Sequence, residues 1–464
     1  MPSREPIKLA DNLAANPQQG LSKLFREHHI DEVECVISDI HGVVRGKAMP
    51  ADKFSHFKPV FLPFSIFFQS ITGTYIEYDS EDYETEIDIE LIPDLNTLRA
   101  LPWTRSPSAM VIHDMHYQDG RPVSFAPRNV LKKILNLYAE KGWKPVVAPE
   151  LEFYLTERNI NPDLPIQPPI GRSGRQSVGR QSYSMMAIDE YEPIIEDIYK
   201  FAEVQGLEID TIIQEGGPAQ LEINLMHGDP LELADNVFIF KRLIREAAIR
   251  HDCYATFMAK PMDNQPGSAM HIHQSIVDAK TGKNIFSQDH GDPSDIFYHF
   301  IGGQQNNLDA TTCIMAPYVN SYRRLMPGDF SAPINMEWSI DNRSAGLRVP
   351  NSAPESRRVE NRMAGMDCNP YLAIAASLAA GYLGMINKSQ PRKPYSGSAQ
   401  DANERLSLPK GLPEAMLVFE ENTAIQNLLG DEFSAIYKCL KEHEFTEFMQ
   451  AVSPWEREHL LLTV

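Results

Sequence analysis

The sequence predicts an α+β protein built from two unequal units. At 464 residues the chain is too long for one average domain, and an apolar content of 42% is enough for a large core. Helix and strand patterns alternate along the first two thirds, whereas the last third is mainly helical. The pattern breaks at Asp119-Gly120-Arg121-Pro122, so we expect units at 1–120 and 121–464.

The first unit begins with a short helical pattern at 20–29. Apolar residues alternate over 33–37 and predict a strand, and Arg45-Gly46-Lys47 falls in a second one. Residues 60–72 are dense in Phe and Ile. The acidic run at 77–90 is typical of a solvated strand edge or loop.

The second unit mixes helices with strands that bear polar faces. Pro127 begins a helix, Asp229-Pro230 begins another, and residues 157–183 form a long loop rich in Pro, Gly, Ser, Arg and Gln. The apolar run 371–386 is too short and too rich in Ala and Gly to span a membrane, so we expect a buried helix. The predicted strands are 145–156, 208–215, 219–226, 254–260 and 269–277.

Composition narrows the class of protein. A formal charge of −20 argues against nucleic acid as a partner, and no membrane segment or signal peptide is visible. The cysteines are odd in number and form no C-x-x-C pair, which favours reduced thiols and a cytoplasmic protein. They are Cys35, Cys253, Cys313, Cys368 and Cys439.

Three predicted strands each have one apolar and one polar face. In chain order the polar faces carry Glu150 and Glu152, Glu222 and Asn224, and His271, His273 and Ser275. Adjacent carboxylates repel each other unless a cation lies between them. Mg²⁺ prefers such oxygen ligands, and Mn²⁺ also accepts imidazole. We therefore expect a sheet-lined metal site.

The arginines around Glu360 are typical of a phosphate-binding element, because one guanidinium group can donate two parallel hydrogen bonds to phosphoryl oxygens. Each feature has an ordinary structural interpretation when taken alone. A single Glu-x-Glu is usually a solvated strand face, His-x-His is more often structural, and clustered arginines usually form ion pairs. Together they favour a site for metal and phosphate.

These residues resemble the glutamine synthetase superfamily, and most closely its γ-glutamylpolyamine synthetase branch, over nearly the whole chain. Besides the carboxylate, histidine and arginine segments, the resemblance rests on Arg45-Gly46-Lys47, Ile92-Pro93-Asp94, Lys260-Pro261-Met262, Gly267-Ser268-Ala269-Met270, Asn320-Ser321-Tyr322-Arg323-Arg324, Asn342-Arg343-Ser344, Arg348-Val349-Pro350 and Asn369-Pro370-Tyr371. It implies a β-grasp domain at 1–120 and a catalytic domain at 121–464 whose curved antiparallel sheet is flanked by helices. It also implies a hexameric ring with active sites between subunits. One ring and two stacked rings both stay open, and the apolar tail 460–464 resembles a strap that joins rings.

The resemblance assigns roles to individual residues. One metal is expected on Glu152, Glu215 and Glu222, and a second on Glu150, His271 and Glu360. ATP is expected on His273, Ser275, Arg343, Arg348 and Arg358. Glutamate is expected on Gly267, Arg324 and Arg362, and the catalytic residues are Arg343, Arg324 and Glu360. We expect Glu152→Ala and Glu360→Ala to abolish turnover and to keep the fold.

The implied activity is ATP-dependent formation of a γ-glutamyl amide through γ-glutamyl phosphate, with Mg²⁺ or Mn²⁺ as cofactor. Two acids of the family's ammonium site are missing. The Asp of Phe-Asp-Gly-Ser-Ser has no counterpart in Phe67-Phe68-Gln69-Ser70-Ile71, and the flap at 328–333 lacks the family's Glu. Pro266 replaces an Asn, and 406–409 lacks the adenylylated Tyr. We therefore expect an organic amine as substrate.

The identity of the amine stays open between a polyamine and a bulky or aromatic monoamine. The branch favours a polyamine, whose distal ammonium needs a carboxylate; the candidates are Glu77, Asp79, Glu81 and Asp329. Aromatic residues near the expected entrance favour an apolar amine, unless they are plain core. They are Phe61, Phe64, Phe67, Phe68, Phe330 and Trp338.

Three other functions are weighed against this one. An ammonia-dependent glutamine synthetase is opposed by the missing acids. A catalytically silent homologue with a structural or regulatory role is opposed by the retention of all the expected metal ligands. A phosphagen-type kinase shares the catalytic architecture but needs neither an amine entrance nor a β-grasp domain.

Overall fold

Two curved β-sheets and a helical layer make up the fold, which confirms the predicted α+β class. The computed structural model describes residues 17–328, 332–402 and 407–464. The boundary predicted at 120 falls in a turn after the last strand of the first sheet, and the division into two domains stays a prediction.

The first sheet is mixed. Its order is β2-β1-β6-β4-β3, with β5 also paired to β6, and β1 runs parallel to β6 while the other pairs are antiparallel. Its strands are β1 Glu32–Ser38, β2 Val44–Pro50, β3 Val60–Pro63, β4 Asp88–Pro93, β5 Arg99–Ala100 and β6 Ser108–His116. Helices α1 Pro17–Glu27 and α2 Ala51–Ser55 pack together beside it.

The acidic segment 77–90 is not a single strand edge. It contains the short helix α3 Glu81–Glu84, whose first turn is capped by the Ser80 side chain, and it ends in β4. Acidic side chains in the first turn of a helix are stabilised by the positive end of the helix dipole, which explains why this acidic segment can form a helical turn.

The second sheet carries the polar faces. Its order is β12-β13-β14-β11-β7-β9-β8, with β10 also paired to β7, and all pairs are antiparallel except β12 with β13. Its strands are β7 Trp143–Glu157, β8 Ile209–Gln214, β9 Gln220–Leu225, β10 Cys253–Thr256, β11 Met270–Asp278, β12 Trp338–Ile340, β13 Leu347–Val349 and β14 Val359–Asn361.

Most helices follow the first sheet along the chain, and α4, α5 and α7 pack directly on strands of the second sheet. The helices are α4 Pro127–Glu140, α5 Met185–Asp189, α6 Glu192–Gln205, α7 Pro230–Arg250, α8 Asp295–Met315, α9 Val319–Arg324, α10 Pro370–Asn387, α11 Leu412–Glu421, α12 Thr423–Leu429, α13 Asp431–Gln450 and α14 Pro454–Leu460. Within the described ranges, only α10 is long and apolar enough to cross a membrane, and 83% of that stretch is buried inside the protein. Its glycines contact α8 directly: a Cβ on Gly384 would lie 2.5 Å from the Cα of Gly303. The prediction of a buried helix packed through small residues is confirmed.

Polar groups join the two sheets. The Asn369 side chain caps α10 and also donates hydrogen bonds to the backbone carbonyls of Asp39 and Ile40, just after β1. Arg128 on α4 forms ion pairs with Asp94 and Asp114 beside the first sheet and with Asp235 on α7. The Asn369 contacts fix the turn after β1 against α10, and the Arg128 contacts fix the first sheet against α4 and α7.

Candidate active site

Four neighbouring strands bring the predicted ligands onto one face of the second sheet. Because side chains alternate along a strand, residues paired across adjacent strands point to the same side. The register pairs His271 with Glu150, Glu222 with Glu152, and Glu360 with His273. The leucine and phenylalanine side chains between them point into the core, as the sequence pattern predicts.

Glu150 lies between the two histidines of β11. Its Oε2 is 3.0 Å from Nδ1 of His271, and its Oε1 is 2.8 Å from Nε2 of His273. Burial acts to raise the pKa of Glu150, but the hydrogen bonds to the two histidines lower it well below its usual range. This carboxylate is therefore ionised and available to a cation.

Glu152, Glu215 and Glu222 form a crowded group of carboxyl groups. Burial and the neighbouring Glu215 raise the pKa of Glu152 to about 8. Burial and repulsion from Glu150, Glu152 and Glu215 raise the pKa of Glu222 to about 10, and burial also raises the pKa of Glu215. Only a cation placed among them restores their ordinary acidity.

The residues fit a divalent metal. Ligand atoms of Glu150, Glu222 and His271 lie within 4.8 Å of one another, and so do those of Glu150, His273 and Glu360. A donor set of carboxylates with one imidazole suits Mg²⁺ or Mn²⁺. This grouping differs in detail from the predicted division, since Glu150 is shared and His273 joins a metal group.

Glu360 has a second set of partners on the arginine side. It is 1% exposed, and its two oxygens pair with Nη1 of Arg348 at 2.6 Å and Nη1 of Arg362 at 2.5 Å. Burial opposes ionisation, but Arg362 and the histidines lower the pKa of Glu360 to about 2. Arg348 also pairs with Asp341, 2.7 Å away.

Two cavities lie on the polar face. The first, of about 230 Å³, contains most of the residues predicted for metal and glutamate, and its lining includes Glu152, Glu215, Glu222, Gly267, His271, Arg324, Arg343 and Arg362. The second, of about 380 Å³, contains residues predicted for ATP, and its lining includes Glu150, His273, Ser275 and Arg358. Arg348 on β13 and Glu360 on β14 line neither cavity.

Gly267 permits a close approach in the first cavity. A Cβ at this position would lie 2.3 Å from Cγ of Arg324 and 2.6 Å from the carbonyl oxygen of Ala259. The Arg324 guanidinium is in turn held by the backbone carbonyls of Arg362 and Met363. Any side chain here would displace the arginine, so glycine is required by packing.

The structure adds residues that sequence reasoning missed. Ser182 and Tyr183, in the loop before α5, line the first cavity beside the carboxylates. Tyr183 has a left-handed backbone with φ of 63°, and its N–H donates to the carbonyl of Gln214, next to Glu215. The second cavity gains Met226 and His227. A loop without periodicity gives no signal for such contacts.

Of the two alternatives for the aromatic residues near the expected amine entrance, the structure supports plain core for three of them. Phe64, Phe67 and Phe68 are fully buried and pack on Phe125, so they are core. Trp338 is also buried, and its indole donates to the carbonyl of Arg392. Glu77, Asp79 and Glu81 are exposed and line neither cavity. Asp329, Phe330 and Leu406 lie outside the described residues.

Known proteins are similar to this chain over nearly its whole length. The γ-glutamylputrescine synthetase PuuA of Escherichia coli is 33% identical over 455 residues, spanning 97% of this chain and 95% of that protein. The glutamate–isopropylamine ligase of a Pseudomonas species is 32% identical over 448 residues, spanning 93% and 95%. The glutamine synthetase of Methanosarcina mazei is 32% identical over 458 residues, spanning 96% and 97%.

Two solved structures of GmaS have a similar fold over nearly the whole chain. The solved structure of apo GmaS without ligand aligns with a TM-score of 0.80 and 27% identity, covering 95% of this chain and 99% of that one. A GmaS complex with ADP aligns with a TM-score of 0.81. The family described as glutamine synthetase, catalytic domain, matches residues 124–460. The chain therefore belongs to the glutamine synthetase family.

Proposed function

We propose that this ATP-dependent ligase joins the γ-carboxylate of glutamate to an organic amine. The face of carboxylates, histidines and arginines supports phosphoryl transfer to a carboxylate. The names of two relatives give putrescine and isopropylamine as their amine substrates. This supports an amine larger than ammonia as the substrate of the present chain.

The chemistry follows from the charges. Glutamate binds through Arg324 and Arg362 beside Gly267, with its γ-carboxylate directed at the γ-phosphorus of ATP. Arg343 and Arg358 line the two cavities and are assigned to the phosphates, and His273 and Ser275 to the nucleotide side. Arg348, also assigned to ATP, lines neither cavity and pairs with Glu360 and Asp341. Glu150, Glu152, Glu215, Glu222, His271 and Glu360 would hold the metal, which would supply positive charge to the transferring group when bound. A neutral amine then attacks the acyl phosphate, forms the amide bond and expels phosphate.

The loop 69–74 supports an organic amine over ammonium. Phe68 stands where the family has Asp, and it is core. The two carboxylates that contact the described residues of this loop are already engaged: Glu444 accepts from the N–H of Ile71, and Glu447 accepts from Thr72 and Thr74. The loop therefore offers no free carboxylate of its own to attract a small cation. This observation carries the proposal.

An amine panel tests the proposal. Phosphate release is measured with ATP, Mg²⁺ or Mn²⁺ and glutamate, against ammonium, diamines, small alkylamines and aromatic amines. We expect kcat/KM to be higher for at least one organic amine than for ammonium. The reverse ranking for every amine would instead support the second candidate, an ammonia-dependent glutamine synthetase, which the Methanosarcina relative favours. Glu222→Gln is the control, since phosphate release that persists in it is not ligase activity.

The working form is proposed to be a hexameric ring, single or stacked. The C-terminal segment leaves apolar side chains in solvent: Leu461, Leu462 and Val464 are 75%, 95% and 94% exposed. Such a group is usually covered by another surface. Light scattering on the full chain and on a form without 460–464 decides between a single ring and stacking through the tail. A fully active monomer would contradict the ring itself.

The state of the cysteines is the basis for proposing a cytoplasmic location. All five cysteines are free, and four of them are buried. Burial raises the pKa of Cys313 to a value far above its usual range and that of Cys368 to about 12, so these thiols are unreactive core groups. A chain with this cysteine use suits a reducing compartment.

A further inference from the structure

A crevice of about 600 Å³ lies outside the two active-site cavities. It separates the turn after β1 from α7 and from the segment that follows β10. The described residues that line it are all different from those lining the active-site cavities. Neither the metal site nor the glutamate site explains its chemistry.

Three cationic side chains of α7 face this crevice, in a chain whose formal charge is −20. They are Lys241, Arg242 and Arg245, which share one helix face by their spacing. Arg242 is neutralised, because its guanidinium pairs with both oxygens of Glu34. The positive charge available to a ligand in this crevice is therefore that of Lys241 and Arg245.

Lys241 and Arg245 lack carboxylate partners. Among the described residues, no Asp or Glu oxygen lies within 4.0 Å of either cation. Lys241 is buried and donates to the carbonyl of Cys368 at 2.9 Å, while the Arg245 guanidinium stacks 4.8 Å from the ring centre of Phe257. Burial lowers the pKa of Lys241 to about 8, and the charge of nearby Asp367 offsets this shift only in part.

The other titratable groups of the crevice do not cancel this charge. Asp367 supplies one carboxylate; its Oδ2 accepts from Ser321 at 2.6 Å, and burial raises its pKa. The His41 ring is neutral, since burial lowers its pKa well below the usual range. Two cations thus face one acid. The Lys241 side chain is buried whereas Arg245 is exposed, so the cost of desolvation falls on Lys241, and an anion beside it would lower that cost.

We propose that this crevice binds a small organic anion, with its carboxylate or phosphate on Lys241 and Arg245. The apolar part of the ligand lies against Val43 and Val44, on the wall opposite α7, and against Met258 in the segment after β10. The volume accommodates a molecule of about the size of a ring with one acidic group. The site is independent of the amine identity proposed above.

Calorimetric titration of the full-length protein tests the proposal. Phenyl phosphate and benzoate distinguish the two anionic groups, and benzyl alcohol has the same ring without charge. The variants are Arg245→Ala, which removes an exposed side chain of the crevice, and Arg343→Ala, which removes the same charge from the active site. A thermal melt of each variant confirms that it is folded.

We expect at least one of the two anions to bind and benzyl alcohol not to bind. Arg245→Ala weakens that binding about tenfold or more, because a charge-assisted hydrogen bond is lost, whereas Arg343→Ala leaves it unchanged. The proposal is overturned if neither anion binds, if Arg245→Ala binds as the wild type does, or if Arg343→Ala abolishes the binding, since the anion then occupies the active site.

Discussion

Substitutions of two proposed metal ligands, Glu222→Gln and Glu360→Gln, are expected to abolish activity while changing metal-free stability in opposite directions. Glu222 has a pKa raised from 4.5 to about 10 in the folded chain, through burial and repulsion by neighbouring carboxylates. Such a group contributes stability below its unfolded pKa, and that contribution is lost as the pH rises towards the folded pKa. At about pH 8 the wild-type folded state therefore has to retain a proton that the unfolded chain releases.

The magnitude follows from the same values. Each pKa unit is worth about 1.4 kcal/mol. The free-energy cost of retaining the Glu222 proton at about pH 8 is therefore at most about 5 kcal/mol. Local relaxation and shared protons reduce this, and we expect Glu222→Gln to raise the metal-free free energy of unfolding by about 1–3 kcal/mol. The gain should vanish at about pH 4, where the carboxyl group is protonated in both states.

Glu360 behaves in the opposite way. Its pKa is lowered from 4.5 to about 2 by its arginine and histidine partners, so its contribution to stability is present above the unfolded pKa and lost as the pH falls towards the folded value. Glu360→Gln leaves Arg348 and Arg362 without their shared carboxylate. Breaking a buried pair in this way costs about 3–5 kcal/mol. This replaces the expectation that Glu360→Ala keeps the fold unharmed.

The assay is urea unfolding of both variants and the wild type, in EDTA, at about pH 4 and about pH 8, together with phosphate release in Mg²⁺. Glu222→Gln should also gain less stability than the wild type when Mg²⁺ is added, because a ligand is missing. The reasoning is refuted if Glu222→Gln is less stable than the wild type at the higher pH, or if both variants shift stability alike.

Three further outcomes are expected. Gly267→Ala should raise the KM for glutamate about tenfold or more and spare that for ATP, since its Cβ displaces Arg324; equal changes in both constants would argue against the glutamate assignment. Gly303→Ala, between α8 and α10, should cost about 1–3 kcal/mol by overpacking, and a melt at the wild-type temperature would contradict this. Mg²⁺ binding at about pH 7 should release protons from Glu152 and Glu222, measured as a buffer-dependent heat, and zero release would show that both are already ionised.

Strand periodicity was enough to predict which carboxylates and histidines share one face of the second sheet. Alternation places Glu150 with Glu152 and His271 with His273 on shared faces, and the register of β7, β11 and β14 brings them together. The motifs that resemble the family also predicted the α+β fold class, which the structure confirms. Both results depend on local spacing, which a single sequence contains.

What the sequence could not give depends on long-range packing. How the proposed ligands divide between two metals depends on side-chain directions. In the structure, the ligand atoms of His273, Glu150 and Glu360 lie within 4.8 Å of one another. The phenylalanines at 64–68 have the same composition whether they form a wall or a core, and only their contacts with Phe125 and Tyr78 identify them as core. Tyr183 reaches its cavity through a left-handed turn in an aperiodic loop.

The central claim is that the glutamate γ-carboxylate is phosphorylated before the amine attacks. Glutamate labelled with oxygen-18 in that carboxylate tests it directly, with the reaction run to completion using ATP, Mg²⁺ and the best amine of the panel. The account predicts that each inorganic phosphate carries one labelled oxygen, because the oxygen that attacks phosphorus leaves with it when the amide forms. Phosphate without label would contradict the account.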